Sequence, residues 1–270
     1  MTPPAGRSRS AGCFSPVSVW RPSPAPPPPP APAPSPPVPP LTGLASAAAA
    51  LRYLERRQEV TATNLANVTT DGFRGERAFA TLLGDGAAAV RTATDARAGT
   101  LRETKNPLDL ALGGDGYFVV QTPAGERLTR AGSFRLDAQH RLVDAAGNAV
   151  LGDAGPVVVP PNGASVTVGG DGTVRVDGRP AGRLRLEQVA PGAQMAHEDG
   201  VRFVPDPSRR PVADADRRVR QGYVEESNVT PVAALVDMIA VQRAYAGVQK
   251  AVTTLDAVRG TATSELGKPV

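Results

Sequence analysis

Between Gly222 and Gly260 runs the longest uninterrupted helical pattern in the chain, and its internal spacing limits what the rest can become. Ala234, Met238, Val241, Tyr245, Val248, Val252 and Leu255 follow one another at alternating steps of four and three, the spacing of a narrow coiled-coil seam. Asp237, Arg243, Lys250 and Asp256 lie off that seam, while Leu235 and Ile239 widen the apolar stripe near its start, as they would if that end met more than one neighbour. Thr230 followed by Pro231 predicts the helix start, because a threonine hydroxyl accepts an orphan N–H and proline has none to lose. Gly260 is the expected stop. Such a helix is marginal alone in water, so the pattern calls for a partner.

A second heptad-like pattern lies near the other end. Over residues 41–68, Leu44, Leu51, Gln58 and Leu65 are seven apart, with Ala47, Leu54, Thr61 and Val68 three residues further on. Polar residues in the middle of such a seam weaken the pairing while fixing its register. The turn-forming run NVTTDG ends the helix between Asn67 and Gly72. Ahead of it, residues 1–40 hold more than half of the 28 prolines, including the run from Pro26 to Pro30. That composition reads as an unstructured tail, as a proline-rich ligand, or as translated sequence upstream of a start near Val38 or Leu41.

Residues 73–105 carry no assignable pattern. From Asn106-Pro107 onward, short apolar runs (LDLAL, GYFVVQ, RLTRAG, SFRLD, HRLVD, AVLG, then PVVVP, SVTV, TVRV and GRLRLEQV) alternate with turn clusters, the hairpin between SVTV and TVRV turning on Gly169-Gly170-Asp171-Gly172. The spacing predicts an antiparallel meander or barrel-like domain, with its strands over about 106–205 and a charged, irregular segment over 206–221. The expected fold class is therefore α+β: a central antiparallel all-β domain (106–221) flanked by N- and C-terminal helices that pack as a coiled-coil-like pair.

Composition excludes several functions. Of the formal charge of +4, three charges belong to Arg7, Arg9 and Arg21, and residues 1–40 have no acidic residue. The remaining +1 gives no phosphate-binding face, so no nucleic-acid partner is expected. No run approaches the roughly 20 apolar residues of a membrane span, so no membrane insertion is expected. Residues 1–40 lack the apolar core of a cleaved signal peptide. Cys13 is the only cysteine, and residues 41–270 can form no disulfide among themselves, as suits a cytosolic chain or one exported unfolded.

Nothing in the pattern predicts catalysis. The glycine cluster at 113–116 precedes a strand, so it lacks the helix N-terminus of a phosphate loop. His140 and His197 have no partners at metal-ligand spacing and read as solvated loop residues. The neighbours Glu225 and Glu226, like Glu198 and Asp199, point in different directions and form no acid–base pair. Ser133 lies in RAGSF, with no nucleophile elbow. No cofactor, metal site or enzyme activity is expected.

Three stretches together resemble the bacterial flagellar basal-body rod and hook family. They are NLANVTTDGFRGERAF (64–79), NPLDLALGGDGYFVVQTPAGERLTRAGSFRLDAQHRLVDAAGNAVLG (106–152), and SNVTPVAALVDMIAVQRAYAGVQKAVTTLDAV (227–258), with Gln242-Arg243-Ala244-Tyr245 at the centre of the last. The compact body, with LGDAGPVVVP followed by DGTVRVDGRPAGRLRLEQV, looks most like a proximal rod subunit and next like a distal one. Departures are the long N-terminal tail, the Ala-Ala-Ala-Ala-Leu-Arg-Tyr run in the first helix, and Ala246 where an acidic residue is common.

The resemblance implies a structural rod subunit linking motor and hook. Its two terminal helices, 41–72 and 222–270, would form the rod core, with 73–105 as linker and the β domain facing outward. The assembly interface it implies comprises Leu44, Leu51, Leu54, Asn64, Leu65, Asn67, Gly72, Phe73, Met238, Val241, Gln242, Arg243, Tyr245, Val248, Val252 and Leu255. The implied partners are copies of itself, other rod subunits and the flagellar export apparatus, through which the chain would pass unfolded without a cleaved signal. Chain ends that order only when neighbours cover the seams would follow. The alternative reading is a secreted β-domain binding module dimerising through its helices.

Overall fold

The computed structural model describes residues 43–82, 88–160, 165–190, 195–198 and 200–266. It is an α+β arrangement with helix α1 (Gly43–Ala66) at one end, helix α2 (Pro231–Leu266) at the other, and antiparallel strands between. Among the described residues, no helix is long and apolar enough to cross a membrane. The side chain of Leu44, the first residues of the expected N-terminal helix and the whole proline-rich segment lie outside the described residues.

The central strand Tyr117–Thr122 explains why the β domain is closed on both faces. Its alternation sends Phe118 and Val120 to one side and Tyr117 and Val119 to the other, and all four are buried. It pairs with Gly125–Thr129, Ala149–Gly152 and Leu186–Gln188, and the sheet continues through Leu142–Val143 to Arg135–Leu136. One apolar cluster joins Phe118, Phe134, Leu142, Val150, Leu184 and Leu186, with Phe118 and Phe134 edge to face at 5.2 Å. The hairpin of Val166–Val168 with Thr173–Val176 forms on the expected Gly-Gly-Asp-Gly turn and, with Arg179–Arg183, makes a separate three-stranded sheet.

The domain's entrance and exit run side by side. Leu110–Leu112 pairs with Val219–Gln221, and Leu101–Glu103 pairs with Tyr223–Glu225. The segment 206–221, expected to be irregular, thus contains two short strands and a single 3-10 turn. Residues 73–105, which carry no clear pattern, contain a hairpin of Glu76–Leu82 with Ala88–Thr94. Its alanine-rich strands give too weak an apolar alternation to be legible, and contact with α1 supports it.

Gly260 does not stop α2, which runs on to Leu266. A helical glycine costs only about 1 kcal/mol, and no proline follows until residue 269. The hydroxyls of Thr261, Thr263 and Ser264 bond back to carbonyls of the preceding turn.

The second apolar face of the sheet is covered by Met195, His197 and Phe203. His197, expected to be solvated, is instead enclosed: its side chain is 12% exposed and its ring lies 4.3 Å from that of Phe203 and 6.1 Å from that of Phe73. An isolated histidine in sequence carries no sign of such a lid. Its Nδ1 lies 3.1 Å from the Gly200 carbonyl. Burial pushes the imidazole below its ordinary value of 6.5, with the Glu76 carboxylate opposing. The folded chain therefore resists a proton that the unfolded chain accepts, so His197 contributes stability that is complete above about pH 6.5 and lost as pH falls below it. The urea midpoint of the wild type should decline from pH 7 to pH 5, and His197→Gln should flatten that part of the profile.

Candidate assembly interface

The first expected motif, Asn64 to Phe73, works as a joint. At the end of α1, Asn64 holds the first residue of the hairpin from both sides: Nδ2 donates to the Glu76 carbonyl (2.8 Å) and Oδ1 accepts the Glu76 N–H (2.9 Å). Asn67 Nδ2 donates to the Thr63 carbonyl (2.9 Å), satisfying a helix-end acceptor. Gly72 lies at φ +71° with its N–H donating to the Glu225 carbonyl (2.6 Å), and a Cβ there would fall 2.2 Å from the Ala131 nitrogen. Phe73 is fully buried beside His197. From the other end of the chain, Asn228 answers Asn64: its Oδ1 accepts the Gly75 N–H (2.8 Å), and its Nδ2 donates to the carbonyls of Asp95 (3.0 Å) and Arg97 (2.9 Å).

Beneath this joint lies a buried ionic cluster that sequence reasoning missed. Glu225 is 1% exposed between Arg74 and Arg130, with Oε1 2.7 Å from Arg74 Nη2 and Oε2 3.1 Å from Arg130 Nη1. Oε1 also accepts the Gly99 N–H (2.9 Å). Arg74 donates to the Ala96 carbonyl (3.2 Å), Arg130 to the Gly114 carbonyl (2.9 Å), and the Arg130 guanidinium lies 5.2 Å from the Tyr117 ring centre. Burial pulls the Arg74 guanidinium below its ordinary range; the Glu225 charge opposes this and the Arg130 charge adds to it. The adjacent Glu226 instead faces solvent with Arg102 and Thr100, so the two carboxylates do diverge. Ser133 donates to Asp71 (2.9 Å), a structural bond. The only sequence signal for the cluster was a lone arginine in each of two otherwise glycine-rich or apolar stretches, DGFRG and LTRAG.

The two helices meet in antiparallel fashion. Asp237 receives Arg57 and the Thr61 hydroxyl (3.0 Å), and two turns further along α2 Tyr245 donates to Glu55 (3.3 Å), so rising numbers on one helix meet falling numbers on the other. Leu54, Val60 and Thr61 of α1 and Ala234 and Val241 of α2 are buried, Val241 to 1% exposure. Leu51, Leu65, Met238, Tyr245, Val248 and Val252 are half-buried. Gln58, an expected seam residue, is exposed, and Arg57 and Val60 turn inward in its place because Asp237 on the facing helix draws Arg57 to it. Gln242 and Arg243 are also exposed, and Arg243 lies almost opposite Val241 on the helical wheel. Leu255 is 42% exposed, near where α1 runs out: α2 has 36 residues against 24.

The other side of α2 is apolar and open. Val232, Leu235, Val236 and Ile239 are 69, 49, 61 and 50% exposed, and at 100° per residue they lie on the face opposite Ala234 and Val241. A helix that is apolar on two opposite faces is built to be covered on both.

Gly72→Ala should destabilise the chain by about 3 kcal/mol or more, since left-handed strain costs about 1–2 and backbone overpacking about 1–3. Gly147→Ala, at φ +89° with open space around it, should cost only the strain, about 1–2 kcal/mol. Urea unfolding of both variants followed by circular dichroism checks the difference.

Residues 111–176 match the flagellar hook protein FlgE/F/G D1 domain, and residues 220–265 match the flagellar basal body rod FlgEFG protein C-terminal family. The flagellar basal-body rod protein FlgF of Mesorhizobium japonicum is 36% identical over 210 residues, covering 74% of this chain and 87% of its own length. FlgF of Escherichia coli is 35% identical over 240 residues, covering 80% and 95%. The rod protein FlgG of Buchnera aphidicola follows at 31% over 235 residues, covering 73% and 89%. These likenesses do not favour the free-standing binding module. With two domain matches and relatives aligned over most of both chains, this chain belongs to the flagellar basal-body rod proteins, structural subunits rather than enzymes, and within them stands nearest the FlgF type.

Proposed function

We propose that this rod subunit assembles helically through α1 and α2, linking motor to hook, with the β domain facing outward. The observation that carries the reading is the second apolar face of α2, Val232, Leu235, Val236 and Ile239, which α1 leaves uncovered. A repeated head-to-tail contact that does not close makes a filament, and an open apolar face behind an already paired one supports that geometry. Within the subunit, Met238, Val241, Tyr245 and Val248 pack on the Leu51, Leu54 and Leu65 seam as a coiled-coil-like pair. Gln242, Arg243, Val252 and Leu255 extend the interface to neighbours, while Asn64, Asn67, Gly72 and Phe73 set the angle at which α1 leaves the β domain. The partners are other copies of the chain and other rod subunits, and the location is the periplasm-spanning rod.

Export through the flagellar apparatus without a cleaved signal belongs to the same reading. It is supported by a body free of disulfide-forming cysteines. The end of α2 that outlasts α1 is helical to Leu266 and gains its covering contacts when neighbouring subunits reach it.

Two double variants test the two faces separately. Val241→Asp with Val248→Asp should break the helix pair and abolish rod incorporation while leaving the β domain folded. Leu235→Lys with Ile239→Lys should leave the isolated chain folded and still abolish incorporation, because only the outer face is changed. Motility in soft agar and recovery of the chain in purified basal bodies are the readouts; normal motility in both variants would refute the interface.

A further inference from the structure

The described residues form two circuits of contacts with different owners. The β domain is tied off at its own neck by the pairing of Leu110–Leu112 with Val219–Gln221, and both of its apolar clusters draw only on residues between 108 and 219. The second circuit joins the N-terminal arm to the C-terminal arm. Its ties are the pairing of Leu101–Glu103 with Tyr223–Glu225, the bonds of Asn228 to Gly75, Asp95 and Arg97, and the contact of α1 with α2.

Where the circuits meet, Arg74 belongs to the arms and Arg130 to the β domain, and Glu225 pairs with both, one negative charge between two positive ones. The two guanidiniums are 2% and 5% exposed, and the Nε of each has no hydrogen-bond partner among the described residues. Without the carboxylate, two like charges would face each other away from water. Arg130 is held in place by the Tyr117 ring and the Gly114 carbonyl, both inside the β domain. Relief must come from Arg74 moving to solvent, and Phe73, Gly72 and the end of α1 move with it.

We infer that Glu225 is the bolt of a releasable joint: the neighbouring ties between the arms and the β domain, Ser133 to Asp71 and Phe73 beside His197, flank Arg74 in the chain, and removing the Glu225 charge frees them and the arms as a unit while the β domain stays folded. The joint is a property of the isolated chain, whatever the arms go on to bind. Topology sets the order of closure. The β domain can complete itself once residue 221 is in place, whereas Arg74 cannot dock until Glu225 arrives, 151 positions later in the chain.

Amide hydrogen exchange on the full-length chain, read by mass spectrometry at pH 7, tests this with Glu225→Gln. Breaking a buried ion pair from one side opens the dependent region by about 100-fold to 4,000-fold. Exchange should rise by that factor in the hairpin strands 76–82 and 88–94 and in strands 101–103 and 223–225. It should change by less than about threefold in strands 117–122 and 149–152. Equal acceleration in all of these strands, general loss of structure, or no acceleration in the arms would each overturn the inference. Arg74→Met combined with Glu225→Gln removes the like-charge conflict and should restore part of the arm protection. A double variant as open as Glu225→Gln would show that charge is not what holds the joint.

Discussion

A carboxylate between two guanidiniums, almost wholly withdrawn from water, is the contact at which the two arms and the β domain of this molecule meet. Glu225 precedes α2, Arg74 follows α1, and Arg130 lies in the β domain, so three distant parts of the chain converge on one charge. Ion pairs this deep cost nearly as much desolvation as they return in attraction, which makes them poor sources of net stability and good sources of specificity. Misplacing any member strands a charge without water or partner. The arms consequently have one way to sit on the β domain.

Around that charge the remaining polar groups act as alignment devices. Asn64 and Asn228, one from each end of the chain, saturate the backbone at the base of the hairpin, and each replaces water with fixed donors and acceptors. Asp237 does the same between the helices by gathering Arg57 and Thr61. These bonds have direction, whereas the apolar contacts of Leu54, Val60 and Val241 do not. Burial thus drives the helices together and the polar pairs select antiparallel register. The proposed assembly would need that division, because an angular error in one subunit would propagate into every later one.

The apolar excess of α2 has a different status. Val232, Leu235, Val236 and Ile239 lie opposite the face that meets α1, so the subunit by itself leaves hydrophobic surface in water. In a free-standing protein that would be a liability. In the assembly proposed for this rod subunit it is the surface that a neighbour would cover.

The heptad spacing of the terminal segments, the short strands between turn clusters and the family signatures were all legible in the chain, because each is a local pattern: 3.6- or two-residue periodicity, or turn chemistry at fixed offsets. The sequence by itself therefore determined two helices, a β domain and a rod-family subunit. Only the tertiary structure decided that Gln58 turns out and Arg57 in, that His197 is enclosed by two phenylalanines, that α2 passes through Gly260, and that Arg74, Arg130 and Glu225 form one cluster. Each of these is settled by contact between residues far apart in the chain, or by the small margin between a glycine's cost and a helix's gain. No window of neighbouring residues contains that information.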